Sequence, residues 1–221
     1  MQSATKNYDL IVFDWDGTIM DSTGAIVAAI QASAQDLGLP VPEHSIASHV
    51  IGLGLQDALH MALPELAPAD YPQLVERYKY HYLARDGGLL PFDGINELLA
   101  DLKARHYWLG VATGKSRAGL DRALAGSALG SVFDWSRCAD ETFSKPHPQM
   151  LLDLMERFAV EPARTLMIGD TTHDSQMAKN AGAHALSVTY GAHPHEHLAS
   201  VDPEGIVHTV EELSAWLRAH G

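Results

Sequence analysis

Two aspartates, Asp14 and Asp16, stand two residues apart at the end of an apolar run and are followed at once by Gly-Thr in "FDWDGTIMDS". In an extended chain residues i and i+2 share a side, so both carboxylates can face one site if the strand "YDLIVFD" ends where Asp14 begins. Asp-Gly is also a common turn dipeptide, so this stretch alone does not decide between a catalytic pair and a polar turn. In an open parallel sheet, ligands bind beyond the carboxyl ends of the strands, which makes the residue after each apolar run the place to look for chemistry. The run "GVAT" delivers Thr113 and Gly114, a loop before a helix start carries Lys145 in "SKPHP", and "LMIGD" delivers Asp170 with Asp174 four residues on. Taken singly, these are a turn, a surface lysine and a helix N-cap. Taken together, they set four acids, a hydroxyl and a cation on one rim.

The elements that must position this rim can be read from periodicity. After the first strand, "TGAIVAAIQASAQDLG" has helical apolar spacing, and further helical segments fall at Leu55 to Ala62 and Tyr71 to Ala84, with no convincing strand among them. Gly38, Pro40, Pro64 and Pro68 punctuate these helices, and "RDGGLLPFDG" reads as a return linker. From Ile95 helices and strands alternate: helix "INELLADLKAR", strand "YWLGVAT", a helix from about Arg117, strand "SVFDWS", helix "PQMLLDLMERF", strand "TLMIGD", helix "SQMAKNAG" and strand "HALSVTY". The short "GIVHTV" and the helix "EELSAWLRA" close the chain. Such alternation argues an α/β fold with a mostly parallel, helix-covered sheet. The expected organisation is an α/β core of residues 1–20 and 91–221, split by an all-helical insert over 21–90.

Composition narrows the function classes. The 221 residues hold 15 Lys+Arg against 28 Asp+Glu, a formal charge of −13, so the average surface repels nucleic acid and anionic membrane. An anionic small substrate then requires a local positive site. The single cysteine, Cys138, cannot form an internal disulfide, the opening "MQSATKNYDLIVFD" lacks signal-peptide features, and no apolar run reaches the roughly 18 residues of a membrane span. A cytoplasmic protein is the expectation.

The sequence resembles the haloacid dehalogenase superfamily, in the subgroup whose helical cap follows the first strand, and is most similar to its phosphoglycolate phosphatase-like hydrolases. The resemblance covers nearly the whole chain. "DWDGTIMDS" looks like the family's first motif, "VATGKSR" its second, "SKPHP" its third and "IGDTTHDSQMAKNAG" its fourth. It implies a Rossmann-like core that transfers phosphoryl groups through an aspartyl phosphate. On this reading Asp14 is the nucleophile and Asp16 the general acid and base. Mg²⁺ lies between the Asp14 carboxylate, the Asp16 backbone carbonyl, Asp170 and a phosphoryl oxygen, with Asp174 helping through water. Thr113, the Gly114 amide and Lys145 bind phosphate. Gly17 allows a sharp turn and Thr18 fixes the Asp16 side chain. Asp16 sets the chain apart from the dehalogenases and from phosphonatase-type members. A β-phosphoglucomutase-type phosphomutase, a pyrophosphatase or a nucleotidase stays open on the core alone. A phosphoaspartate receiver is the non-enzyme alternative, although it needs neither Asp16 nor the helical insert.

The substrate is expected to be a small phosphorylated metabolite of phosphoglycolate type, chosen by the cap. "SHVIGLGLQDAL" resembles the family's specificity loop, which makes His49, Gly52, Leu53 and Gly54 candidates for facing the substrate. Lys115 and Arg117 are candidates for binding a substrate carboxylate, or form a solvated helix start. "HPHEH", from His193 to His197, reads as a Pro-containing surface loop without a partner cluster for a metal. His173 lies near the site without being required by the mechanism. Cys138 reads as a buried structural thiol. No oligomeric state can be read from these patterns.

Overall fold

A computed structural model describes residues 6–127 and 129–221. Its six strands are β1 (Leu10–Phe13), β2 (Trp108–Thr113), β3 (Trp135–Cys138), β4 (Thr165–Gly169), β5 (His184–Val188) and β6 (Gly205–Val207). They form one sheet in the order β3-β2-β1-β4-β5-β6, with every neighbouring pair parallel. The chain fills one side of β1 first and then the other. The order therefore reverses between β1 and β4, where the crevice beyond the strand ends opens. Both strands are buried along their whole length, as expected for parallel strands covered on two faces.

Ten helices accompany the strands among the described residues. Between β1 and β2 lie α1 (Thr23–Asp36), α2 (His44–His49), α3 (Leu55–Ala62), α4 (Tyr71–Asp86) and α5 (Ile95–Ala104). The remainder are α6 (Arg117–Gly126), α7 (Gln149–Phe158), α8 (Thr172–Ala181), α9 (His195–Ser200) and α10 (Val210–His220). Alternation along β1 divides the core. Ile11 and Phe13 pack with Leu98 and Leu99 of α5 and Leu213 and Leu217 of α10, while Leu10 and Val12 pack with Leu151 and Leu154 of α7 and Met177 of α8. Helices α1 to α4 enclose a separate apolar cluster around Ile26, Ile30, Leu59, Leu74 and Tyr82.

Several expected elements move. The strand read as "SVFDWS" runs Trp135–Cys138 instead. Asp134 bonds β2 by both backbone and side chain, its amide donating to the Leu109 carbonyl at 2.8 Å and its carboxylate accepting the Leu109 amide at 2.9 Å, and the paired register begins at the next residue. Helix α8 begins at Thr172, earlier than read, because Thr171 and Asp174 form a capping box. Helix α4 runs two residues further, to Asp86, and α2 was not read as an element at all. The "HPHEH" segment turns into α9 from His195, rather than remaining a loop.

Candidate active site

Four turns at the carboxyl edge of the sheet bring the candidate residues together. β1 ends at Phe13, so both acids of the first motif sit in the turn beyond it, and Asp14 is held there by its amide donating to the Ile168 carbonyl of β4 at 2.9 Å. Gly17 reverses the chain at φ +83°. A Cβ there would stand 2.1 Å from Asp170 Oδ2, so only glycine fits both the backbone and the approach. β4 delivers Asp170, and the capping box of α8 delivers Asp174.

The side chains converge on one buried cation. Lys145 Nζ, fully enclosed, donates to Asp14 Oδ1 and to Asp174 Oδ1, each at 2.6 Å. Asp174 Oδ2 accepts from the Thr171 amide and hydroxyl at 3.1 and 2.6 Å. Asp170 accepts from Thr18 Oγ1 at 2.8 Å and from the Ala192 amide at 2.7 Å. Asp14 Oδ2 is buried with no hydrogen-bond partner among the described residues.

Asp14, Asp170 and Asp174 each offer an oxygen, all within 4.8 Å of one another. Three buried carboxyl groups thus cluster around one ammonium. Burial, reinforced by Asp174 and Asp170, holds the Asp14 carboxyl well above the usual carboxylate range despite Lys145. Burial and Asp174 push Asp170 up to about 7, against its bonds from Ala192 and Thr18. Burial works to lower the Lys145 ammonium, but the Asp14 and Asp174 charges outweigh it and hold the group above an ordinary lysine. Clustered, buried carboxyl oxygens suit a hard divalent cation.

Asp16 points elsewhere, toward a cavity between the sheet edge and helices α1, α3 and α4. Its Oδ1 accepts from Ser22 Oγ at 2.6 Å and lies 3.1 Å from Lys115 Nζ. Thr18 is expected from the resemblance to fix Asp16. Thr18 holds Asp170 instead, and Ser22, which that expectation passed over, fixes Asp16. Ser22 lies inside the first motif, six residues after Asp16, and only the turn closed by the Gly17 amide on the Met20 carbonyl shows that it folds back. Thr113 is buried at the end of β2, beside β1. Its Oγ1 accepts the Lys115 amide at 3.2 Å, which leaves its proton free to donate.

The insert reaches the sheet edge through the loop between α2 and α3. Gly52 and Leu53 line the same cavity as Asp16 and Gly114, and a Cβ on Gly114 would lie 2.2 Å from the Leu53 carbonyl. The Gly54 amide is bound by Ser144 Oγ at 2.8 Å, tying the loop to the residue before Lys145. Lys115 reaches Tyr82 Oη at 2.8 Å as well as Asp16.

Three candidates lie outside the cavity lining: Gly54, whose amide is given to Ser144, Arg117 and His49. Arg117 donates to Glu141 at 2.8 Å and to Ser136 at 2.9 Å, on the far side of α6, and does not line the cavity. His49 sits at the end of α2, and its carbonyl accepts from His173 Nε2 at 2.9 Å and His193 Nε2 at 3.0 Å. The "HPHEH" segment does have a partner, contrary to expectation, because His49, His193 and His197 come within 4.8 Å of one another. Burial pushes His193 down to about 4, and its Nδ1 already accepts the Thr172 amide at 3.1 Å, so both of its nitrogens are engaged within the protein. Cys138 is fully buried and its thiol is pushed up to about 12 by desolvation, the state of an unreactive core residue.

Comparison with known proteins identifies the family. A family model described as haloacid dehalogenase-like hydrolase matches residues 11–188. A probable phosphatase IndB of Dickeya dadantii is 39% identical over 210 residues, covering 92% of this chain and 91% of that one. A phosphoglycolate phosphatase of Thiobacillus denitrificans is 30% identical, covering 97% of each. The crystal structure of a predicted phosphoglycolate phosphatase from Haemophilus somnus superposes with a TM-score of 0.85 at 24% identity, over 95% of this chain and 98% of that one. The chain belongs to the haloacid dehalogenase-like hydrolase family, and its parallel α/β sheet is the fold of that family.

Proposed function

We propose that this protein is a Mg²⁺-dependent phosphomonoester hydrolase that passes the phosphoryl group through Asp14. The observation that carries the reading is the buried Asp14–Lys145–Asp174 chain with Asp170 beside it and one oxygen of Asp14 unpartnered. Lys145 holds Asp14 by Oδ1 alone, which leaves Oδ2 to attack phosphorus as the ester P–O bond breaks. Asp16, held by Ser22 at the cavity wall, gives its proton to the departing alcohol oxygen and takes one from the water that then cleaves the aspartyl phosphate. Thr113, the Gly114 amide and Lys145 donate to the phosphoryl oxygens. Asp14, Asp170 and Asp174, with the Asp16 carbonyl, would hold Mg²⁺, which supplies charge neutralisation to the phosphoryl oxygens when bound.

Residues 21–90 act as a helical cap that presents Gly52 and Leu53 to the cavity, supported by the separate apolar cluster of helices α1 to α4. The substrate is a small phosphorylated metabolite. The phosphoglycolate phosphatase named among the relatives makes 2-phosphoglycolate the reference compound for the assay. The surface charge of −13 and the lack, among the described residues, of any helix long and apolar enough to cross a membrane support a metabolite over a nucleic acid or lipid surface. The test is phosphate release from 2-phosphoglycolate, sugar phosphates, nucleoside monophosphates and pyrophosphate, with Mg²⁺ and again with EDTA. Metal-dependent release supports the reading. Isomerised sugar phosphate in place of free phosphate, or a phosphoenzyme that persists, refutes it in favour of a mutase or a receiver.

A further inference from the structure

The cavity beside Asp16 is the wrong shape and chemistry for a two-carbon acid. Its volume is about 340 Å³, room for about ten water molecules at roughly 30 Å³ each and within the range of pockets that hold ring-sized ligands. Glycolate would leave most of it unfilled. The walls away from the sheet edge are apolar, with Ile26 and Ile30 from α1, Leu55 and Ala58 from α3, and Tyr78 and Tyr82 from α4. Tyr78 and Tyr82 stack on each other, 14° apart with centroids 5.9 Å from each other, with Lys115 Nζ over the Tyr82 ring at 4.7 Å, and both tyrosines line the cavity.

The cations of the lining are largely spoken for. Lys115 is bound to Asp16 and to Tyr82 Oη, and Arg122 Nε donates to Asp86 at 2.6 Å. Lys79, the remaining lining cation, is exposed. Arg117, the other cation near the second motif, is turned away to Glu141. A substrate carboxylate would therefore either displace an existing ion pair or meet only Lys79 at the solvent-exposed rim, where an ion pair is worth little. Asp16 and Gly114 belong both to this cavity and to the proposed phosphate site, so whatever fills the cavity is attached to the phosphate through the leaving oxygen.

We propose that the leaving group is an uncharged alcohol bearing a flat aromatic ring, which lies against Tyr78 and Tyr82 with its ester oxygen at Asp16. This rests on the phosphatase reading and names the substrate class for that same site. The chemistry is unchanged. Asp14 Oδ2 forms the bond to phosphorus, the ester P–O bond breaks, the alcohol leaves with the Asp16 proton, and water returns the enzyme and inorganic phosphate. A flat ring matches the apolar and aromatic lining, and desolvating it there is favourable, whereas a carboxylate among these side chains loses water without gaining an unpaired buried cation.

Leaving-group reactivity must be kept constant in the test, which rules out aryl esters as probes. The comparison is between alkyl esters: 2-phenylethyl phosphate, 2-cyclohexylethyl phosphate and 2-phosphoglycolate, each with Mg²⁺. The expected kcat/KM for the phenyl ester exceeds that for 2-phosphoglycolate at least tenfold, the low end of what one apolar group is worth in a matching pocket. The saturated ring falls between them. Ala58→Trp, which fills the cavity from α3, lowers the ratio of phenyl ester to 2-phosphoglycolate at least tenfold, and Tyr78→Leu lowers the preference for the flat over the saturated ring.

Binding is read separately from turnover, by calorimetry of 3-phenylpropylphosphonate and 3-phosphonopropionate on the same wild-type protein with Mg²⁺. If no ester is hydrolysed but the phenyl phosphonate binds at least tenfold more tightly, the phosphatase reading falls and the cavity assignment holds. If 2-phosphoglycolate is turned over as well as the phenyl ester, or 3-phosphonopropionate binds as tightly as the phenyl phosphonate, the assignment is overturned while the phosphatase reading stands.

Discussion

Lys145 is the residue whose removal the structure prices most clearly. Its ammonium is fully enclosed, and its partners Asp14 and Asp174 are each 1% exposed. Lys145→Met keeps the length and apolar stem but leaves two buried carboxylates facing each other and Asp170 without a cation. Breaking a buried ion pair by deleting one partner costs about 3–5 kcal/mol, because the surviving charge stays desolvated. The burden depends on pH in a definite direction. Asp14 titrates well above its ordinary range in the folded protein even with Lys145 present, and further above it without. Between the unfolded and folded values the native state binds more protons than the unfolded state, so stability rises as pH falls through that window. The deficit is therefore larger at pH 8 than at pH 5, because acidification favours the protonated Asp14 that needs no cation beside it. Urea unfolding of wild type and Lys145→Met in EDTA at pH 8 and pH 5 reads both numbers. Adding Mg²⁺ at pH 8 returns part of the loss, since a cation that binds only the folded state stabilises it. A deficit under about 1 kcal/mol at pH 8, or one that grows on acidification, refutes the electrostatic account of the site.

The other predictions concern turnover. Asp14→Asn abolishes phosphate release, and Asp16→Asn lowers kcat by roughly 10² to 10⁴, the scale of a positioned acid–base group; comparable activity in either purified variant contradicts the assigned roles. Ser22→Ala removes the 2.6 Å bond to Asp16 and lowers kcat/KM for an alkyl ester by about tenfold, since a hydrogen bond to a charged group is worth about 1.5–3 kcal/mol. A pH profile that shifts with the loss distinguishes this positioning role from general destabilisation. Gly114→Ala places a Cβ 2.2 Å from the Leu53 carbonyl, so the insert loop must move, and KM rises more than kcat falls. EDTA dialysis removes activity and Mg²⁺ restores it, whereas activity that survives exhaustive chelation rejects a resident divalent cation.

The residues that proved legible in the sequence are those tied to backbone regularity. Asp14, Asp170 and Thr113 close strands whose apolar runs are unmistakable, and Asp174 follows at helix-cap spacing, so periodicity and strand ends suffice to find them. Lys145 lies in a loop and gained weight only from its place between other motifs. What escaped was set by tertiary geometry. Thr18 and Ser22 are four residues apart in one turn, and nothing in their spacing says that the first turns to Asp170 and the second to Asp16. Arg117 has the charge and position of a ligand-binding residue, but Glu141, 24 positions away, claims it. The short α2, six residues with little amphipathic pattern, is folded by its neighbours rather than by its own propensity, and the histidine pair that grips its last carbonyl comes from more than a hundred residues downstream. The tyrosines of the cavity are visible in the sequence only as Tyr78 and Tyr82 at i and i+4 on one helix, a spacing as common in cores as in binding sites.

The central claim is that Asp14 carries the phosphoryl group. Asp16→Asn protein, incubated with Mg²⁺ and 4-nitrophenyl phosphate and quenched in acid, tests it most directly. The leaving group needs no proton, so the first step proceeds while hydrolysis of the intermediate lacks its base. The account predicts a peptide containing Asp14 that is heavier by one phosphoryl group, and that loses the label with hydroxylamine. Burst release of nitrophenol with no phosphate on any peptide, or phosphate on a residue other than Asp14, contradicts it.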